Sequence, residues 1–245
     1  MDEQVITYEI QKNIGIIKGN NQPVNALSFE VRKGLIDTLR TLLDNKFIEG
    51  IILCGEGKTF FAGADISEFG KPMQSPNLND VVFEFENSKK PIVAALHGTP
   101  LGGGLELAMG CNYRVALANT KLGLPEVKLG IIPGAGGTQR LPRLAGVERA
   151  LSMITSGTPI SAKDAFDYGI LEEVFDDALI ENSINFIKNK LSQANHPITS
   201  KLTEKISGIE DEVFDNFLNE IKKKYRGRRS PLCAIEAVKA STRLS

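Results

Sequence analysis

A chain of 245 residues can hold one substantial core with a smaller appended subdomain, and 42% apolar content fits a globular protein rather than a disordered one. Its 29 lysines and arginines balance 30 aspartates and glutamates, a formal charge of -1, which gives no general electrostatic reason to expect nucleic acid or an anionic membrane as partner. Cys54, Cys111 and Cys233 lack the spacing of a disulfide framework, His97 and His196 are too isolated for a metal site, and no run approaches the roughly 18 apolar residues of a membrane span.

Segment 1–8 is acidic and carries no basic leader. The expectation is a soluble protein, cytoplasmic if bacterial, or of a peroxisome or other organelle matrix if eukaryotic. Two short strands are expected over 5–9 and 14–18, with a turn at Lys12-Asn13 and a loop over 20–25. A helix follows from Ser28 as N-cap, with an apolar stripe through Val31, Leu35, Leu39 and Leu42 or Leu43. Runs over 50–55, 91–96 and 113–117 are continuously apolar and read as strands buried on both faces. Helices over 78–87 and 103–109 lie between them, which makes the core α/β. Beyond residue 146 the pattern turns helical: 147–155, 161–168, 177–191, 198–206, 211–225 and 231–241, with one strand over 170–174. Helical character continues to residue 245, so a longer parent chain is one expectation. The basic run over 222–229 reads as a solvated helix end in preference to a nucleic-acid or phosphate surface.

Four segments place glycine and charge where a plain core would not: 61–66, 101–107, 123–127 and 130–138. Glycine lets a backbone approach a ligand closely and adopt positive φ. Gly102, Gly103 and Gly104 precede the helix that holds Glu106, and they leave its first-turn amides open to a phosphate or a developing oxyanion. None of the runs completes a dinucleotide fingerprint or ends in the Lys-Ser or Lys-Thr of a nucleotide phosphate loop. Glu106 and Glu126 each sit in apolar local sequence, where a carboxylate is costly unless paired or protonated. Pairing of either with Arg114, Arg140 or Arg143 is the structural explanation. General acid/base work is the functional one, and two such carboxylates beside an anion-hole helix favour it.

In order over roughly residues 5–190, these segments resemble the crotonase, or enoyl-CoA hydratase/isomerase, family. The chain is most similar to the hydratase/isomerase part of the peroxisomal-type multifunctional enzymes of fatty-acid β-oxidation, in which a 3-hydroxyacyl-CoA dehydrogenase follows. The resemblance implies an α/β fold, a spiral of ββα units with a helical C-terminal subdomain. It implies a core over 1–190 carrying the active site and a helical extension over 191–245. Two main-chain amides, those of Ala64 and Gly103, would form the oxyanion hole for the thioester carbonyl. Glu106 would polarise water as base, and Glu126 would deliver a proton to C2 as acid. Coenzyme A would lie along Val24, Asn25, Ala26 and Leu27 and along Phe60, Ala62, Gly63, Ala64, Asp65 and Ile66. Lys58 would serve a phosphate or stand as a solvated turn lysine.

The implied reaction is reversible hydration of a trans-2-enoyl-CoA, with Δ3-Δ2 isomerisation as a second activity. Another crotonase isomerase or hydrolase, or a non-catalytic acyl-CoA-binding protein, is the alternative. No metal and no cofactor is required, coenzyme A being part of the acyl-CoA substrate. A homotrimer, or covalent fusion to the dehydrogenase, is the implied assembly. Asp65 is expected to accept backbone amides, His97 to be packed or hydrogen-bonded, and Asn112, where many relatives have aspartate, to alter a structural contact.

Overall fold

The continuously apolar runs become the middle of a six-stranded sheet, since a strand without polar alternation must be covered on both faces. The computed structural model describes residues 4–68, 70–72 and 74–243. The strands are β1 (Ile6–Gln11), β2 (Ile14–Gly19), β3 (Gly50–Gly55), β4 (Ile92–Leu96), β5 (Tyr113–Leu117), the two-residue β6 (Lys121–Leu122) and β7 (Ile160–Ser161), and β8 (Glu173–Phe175). β1 and β2 form an antiparallel hairpin, and β3, β4, β5 and β8 are added to β2 in parallel. β6 and β7 pair with each other as a separate antiparallel ribbon.

Helices α1 (Phe29–Asp44), α2 (Leu78–Glu86) and α3 (Gly103–Gly110) connect successive parallel strands, so the chain winds as a spiral of β-then-α units. Ser28 caps α1, its hydroxyl accepting from Val31 N at 3.4 Å, and the stripe of Val31, Leu35, Leu39 and Leu42 is buried. A reciprocal capping box of Asn77 and Asp80 starts α2. Alternate strand residues serve opposite layers. Ile51, Leu53, Ile92 and Ala94 pack with α1, α2 and α3, whereas Ile52, Val93 and Ala95 pack with Ile184, Phe186 and Ile187 of α7 (Leu179–Lys190).

The remaining helices are α4 (Gly137–Ala145), α5 (Val147–Ser156) and α6 (Ala162–Asp167), followed after α7 by α8 (Asp211–Lys224) and α9 (Ser230–Ser241). α8 and α9 form the C-terminal helical subdomain, and α9 packs across α4 and α5. The cations over 222–224 and Arg226, Arg228 and Arg229 are exposed at the end of α8 and in the turn after it. Among the described residues no helix is long and apolar enough to cross a membrane.

Two expectations are corrected, and one helix had none. No helix forms over 198–206; a single 3-10 turn, Thr199–Lys201, stands there, and Leu202 is extended. Threonine and serine are weak helix formers, and the Ser200 amide is taken at 2.9 Å by the buried Glu86 carboxylate, so tertiary contact outweighs the apolar spacing. The last strand begins at Glu173 rather than 170, because Ile170 O accepts from Arg114 Nε at 2.7 Å and only beyond it does the ladder with β5 start. α4 carries no helix expectation, since it opens on glycine and holds Pro142 inside it. Leu244 and Ser245, where helical character was expected to continue, lie outside the described residues.

Asn112 is 5% exposed and uses both ends of its amide, Oδ1 accepting from Ile92 N at 2.8 Å and Nδ2 donating to Pro197 O at 3.0 Å. An aspartate could make only the first bond.

Candidate active site

Loops that leave the carboxyl ends of β3, β4 and β6 converge, where parallel α/β sheets present their crevices. Main-chain bonds lock them together. Leu27 N donates to Gly63 O at 2.9 Å, Ala62 N to Val24 O at 3.1 Å, and Gly102 N to Gly123 O at 2.9 Å, with parallel bridges Leu27 to Ala64 and Leu101 to Gly123. The start of α3 is pressed against segment 61–64. A Cβ on Gly104 would lie 1.8 Å from Phe61 O, and one on Gly103 would lie 3.3 Å from Ala64 N. Only glycine permits that approach, and it brings residues 64 and 103 to one wall.

That wall borders a cavity of about 470 Å³ lined by Ala62, Gly63, Ala64, Ile66, Gly102, Gly103, Glu106 and Glu126, and by apolar Leu78, Leu101, Leu129, Ile131 and Ile132. A neighbouring cleft of about 810 Å³ runs from Ala64 past Asp65, Arg32 and Glu68. Glu106, on α3, is 2% exposed. Its Oε1 accepts the amides of Ala135 at 2.8 Å and Gly137 at 2.7 Å. Glu126 opens the 3-10 turn Glu126–Leu129, and among the described residues its buried Oε2 meets no hydrogen-bond partner.

The arginine explanation for these acids gives way to other pairs. Arg114 binds Glu172 at 2.6 Å, Arg140 binds Glu86 at 2.6 Å, and Arg143 donates to Gln139 O at 2.7 Å. Burial, followed by the charge of Glu106, pushes the Glu126 carboxyl up to about 8. Burial also raises Glu106, but the Gly137 and Ala135 amides and the Arg140 charge oppose it. The Gly137 and Ala135 amides and Arg140 favour the charged form of Glu106, whereas the one backbone donor to Glu126 is its own, so within the pair Glu126 holds a proton the more readily.

The other anticipated ligand contacts are dispersed. Val24 is exposed and Ala26 half-buried on the preceding loop, while Leu27 and Phe60 are buried in the core. Asn25 is buried with its Nδ2 donating to Glu56 O and Thr59 O at 2.9 and 2.8 Å, so its side chain holds the loop. Lys58 is exposed on the turn after β3, away from the residues lining the cavity. Asp65 Oδ1 accepts Ser67 N at 2.9 Å, and a His97 ring nitrogen lies 3.2 Å from Gly57 O.

Sequence reasoning expected the loop over 70–79, which holds Leu78, at the acyl pocket and singled out segment 130–138, but it gave no role to Leu129, Ile131, Ile132 or the Ala135 amide. The available signal was apolar side chains in the loop over 129–132 with neither strand nor helix period; Leu129 is 62% exposed. Among the described residues, no group of three His, Cys, Asp or Glu is gathered where a metal could sit.

Fold and cavity together define a crotonase-type α/β enzyme, with two glutamates and glycine-rich main chain lining one apolar chamber. The enoyl-CoA hydratase/isomerase family model matches residues 9–216, and the chain belongs to that family. The peroxisomal bifunctional enzyme of Danio rerio is 40% identical over 240 residues, 96% of this chain and 33% of that protein. A probable enoyl-CoA hydratase of Bacillus subtilis (strain 168) is 44% identical over 173 residues, 68% of this chain and 67% of that protein. The crystal structure of an enoyl-CoA hydratase from Bacillus anthracis matches with a TM-score of 0.71 at 29% identity, covering 98% of this chain and 90% of that one. The chain spans about a third of the length of the first curated relatives it matches.

Proposed function

We propose that this chain is an enoyl-CoA hydratase that adds water reversibly to a trans-2-enoyl-CoA and yields the 3-hydroxyacyl-CoA. The observation that carries the reading is a single cavity lined by Ala64, Gly103, Glu106 and Glu126. The amides of Ala64 and Gly103 receive the thioester oxygen. Negative charge grows on that oxygen as the water oxygen bonds to C3, and preorganised donors bind it more tightly in the transition state than in the ground state. Glu106, ionised and aimed by two amides, takes the water proton. Glu126, protonated near neutrality, gives its proton to C2 as the enolate electrons return, and the pair exchanges the proton back before the next turnover.

A second activity, Δ3-Δ2 isomerisation, needs one carboxylate to take a proton from C2 and return it to C4, and the ionised fraction of Glu126, which grows as pH nears about 8, supplies it. The peroxisomal and glyoxysomal names of relatives support a place in β-oxidation within an organelle matrix, with bacterial cytoplasm as the other setting. Fusion, through the helical extension over 191–245, to a 3-hydroxyacyl-CoA dehydrogenase, or a homotrimer of this chain with its 1–190 core carrying the active site, belongs to the same reading.

Hydration of crotonyl-CoA and of a longer enoyl-CoA by one preparation tests the reaction and the acyl preference together. Glu106→Gln should lower kcat by about a hundredfold or more while acyl-CoA binding persists, and an unchanged rate would remove Glu106 from the chemistry. A 3-enoyl-CoA that yields no conjugated product while hydration is fast would remove the second activity.

A further inference from the structure

Glu106 is oriented by a glycine-rich turn into α4 in which Ala135, buried in the core, carries the one side chain. Segment 134–137 is Gly-Ala-Gly-Gly, Gly136 has a φ of +93°, and a Cβ on Gly134 would meet nothing within 4 Å. Such backbone is permissive, so its two amides would wander from Glu106 unless something outside the loop held it.

That restraint is Arg140, one turn into α4. Its Nη1 donates to Ala135 O at 3.2 Å, and a Cβ on Gly136 would sit 2.0 Å from the same nitrogen. The guanidinium therefore grips the peptide that lies between the two donating amides. Its other edge forks onto Glu86, Nε to Oε1 at 3.0 Å and Nη2 to Oε2 at 2.6 Å. Glu86 is 5% exposed, ends α2, and also accepts Ser200 N at 2.9 Å. A planar fork can meet a carboxylate and a carbonyl together, which a lysine ammonium cannot reproduce.

We propose that Arg140, braced by Glu86, is a positioning residue for hydration: it fixes the loop whose Ala135 and Gly137 amides aim Glu106 at water. Neither Arg140 nor Glu86 lines the cavity, so both act through Glu106. The inference rests on the hydratase reading above. The charged groups acting on Glu106 are Glu126 from the 126–129 turn and Arg140 from α4, with Glu86 of α2 behind Arg140. Loss of the guanidinium charge leaves the carboxyl pair harder to ionise.

The test uses the full chain with Arg140→Gln, Arg140→Lys, Glu86→Gln and the double Arg140→Gln/Glu86→Gln variant. Each is assayed for crotonyl-CoA hydration across pH and for thermal melting. Wild-type turnover judges the hydratase reading, and only the ratios between variants and wild type judge Arg140. In Arg140→Gln and Glu86→Gln, kcat should fall between about tenfold and a hundredfold, as expected for a displaced reacting group, with KM within about twofold. The double variant should lose little more than either single one, because the two residues form one device. The acid limb should move to higher pH in Arg140→Gln and return in Arg140→Lys, which keeps the charge but recovers only part of kcat. An unchanged kcat in folded Arg140→Gln would overturn the proposal, as would losses that follow melting temperature and KM with the limb unmoved. Should Arg140→Gln fail to fold, near-isosteric Glu86→Gln decides: lost kcat with KM kept sustains the proposal, and unchanged kcat overturns it.

Discussion

Replacing Glu126 with glutamine should stabilise the protein and disable it, for one electrostatic reason. Burial and the nearby Glu106 charge push the Glu126 carboxyl from its ordinary 4.5 up to about 8. The folded state therefore keeps a proton that the unfolded chain releases. Stability from this group is full below 4.5 and is lost as pH rises towards about 8. At pH 7 the unfolded chain has gained on the order of 3 kcal/mol relative to a side chain that does not titrate, and at pH 5 about 1 kcal/mol. Glutamine removes that slope. Its NH₂ takes no bond away, since the buried Oε2 meets no partner among the described residues. Glu126→Gln should accordingly melt roughly 6–12 °C above wild type at pH 7, and much closer to it at pH 5. Hydration should meanwhile fall on the order of a hundredfold to ten-thousandfold. Melting curves of both proteins at the two pH values, with crotonyl-CoA turnover alongside, give the comparison. An advantage of equal size at both pH values would refute the reasoning.

The same carboxyl sets a limit on activity. Hydration kcat/KM should decline above about 8 as Glu126 loses its proton, and a pH–rate profile flat to pH 10 would deny it the acid role. Gly104→Ala places a methyl 1.8 Å from Phe61 O, so α3 must back away at a cost of about 3 kcal/mol; an unmoved urea midpoint would contradict the packing. Gly103→Ala brings a methyl to 2.6 Å from Leu78 and 3.3 Å from Ala64 N; kcat should drop about a hundredfold through a spoiled oxyanion contact, measured against retained coenzyme A binding.

Much of the scaffold was legible because its signals are local. Apolar runs over 50–55, 91–96 and 113–117 had to be strands covered on both faces, and Ser28 with the stripe of Val31, Leu35 and Leu39 had to start a helix. α4 was not legible, since leading glycines and Pro142 weaken every local cue while burial of Leu141 and Leu144 stabilises the helix. The segment over 198–206 misled in the opposite sense: its apolar spacing is helical, but the Glu86 carboxylate captures the Ser200 amide from 114 residues away. Of the candidate site, Glu106 and Glu126 stood out through charge in apolar sequence. The apolar lining from 129–132 did not, because Leu129, Ile131 and Ile132 follow neither strand nor helix period and only the folded chain sets them around a cavity.

By itself the amino-acid sequence determined the α/β alternation, the glycines that let α3 approach segment 61–64, and the unusual setting of two acids. These follow from rules that act within a few residues: periodicity, capping and the missing Cβ. Only the tertiary structure decided which partners the acids keep. Arg140 could have neutralised Glu106 or Glu126 by charge alone, yet the meeting of α2 and α4 gives it Glu86, and leaves Glu106 to two main-chain amides. Ion pairing depends on a few ångströms of separation in space, and spacing along the chain does not contain that distance.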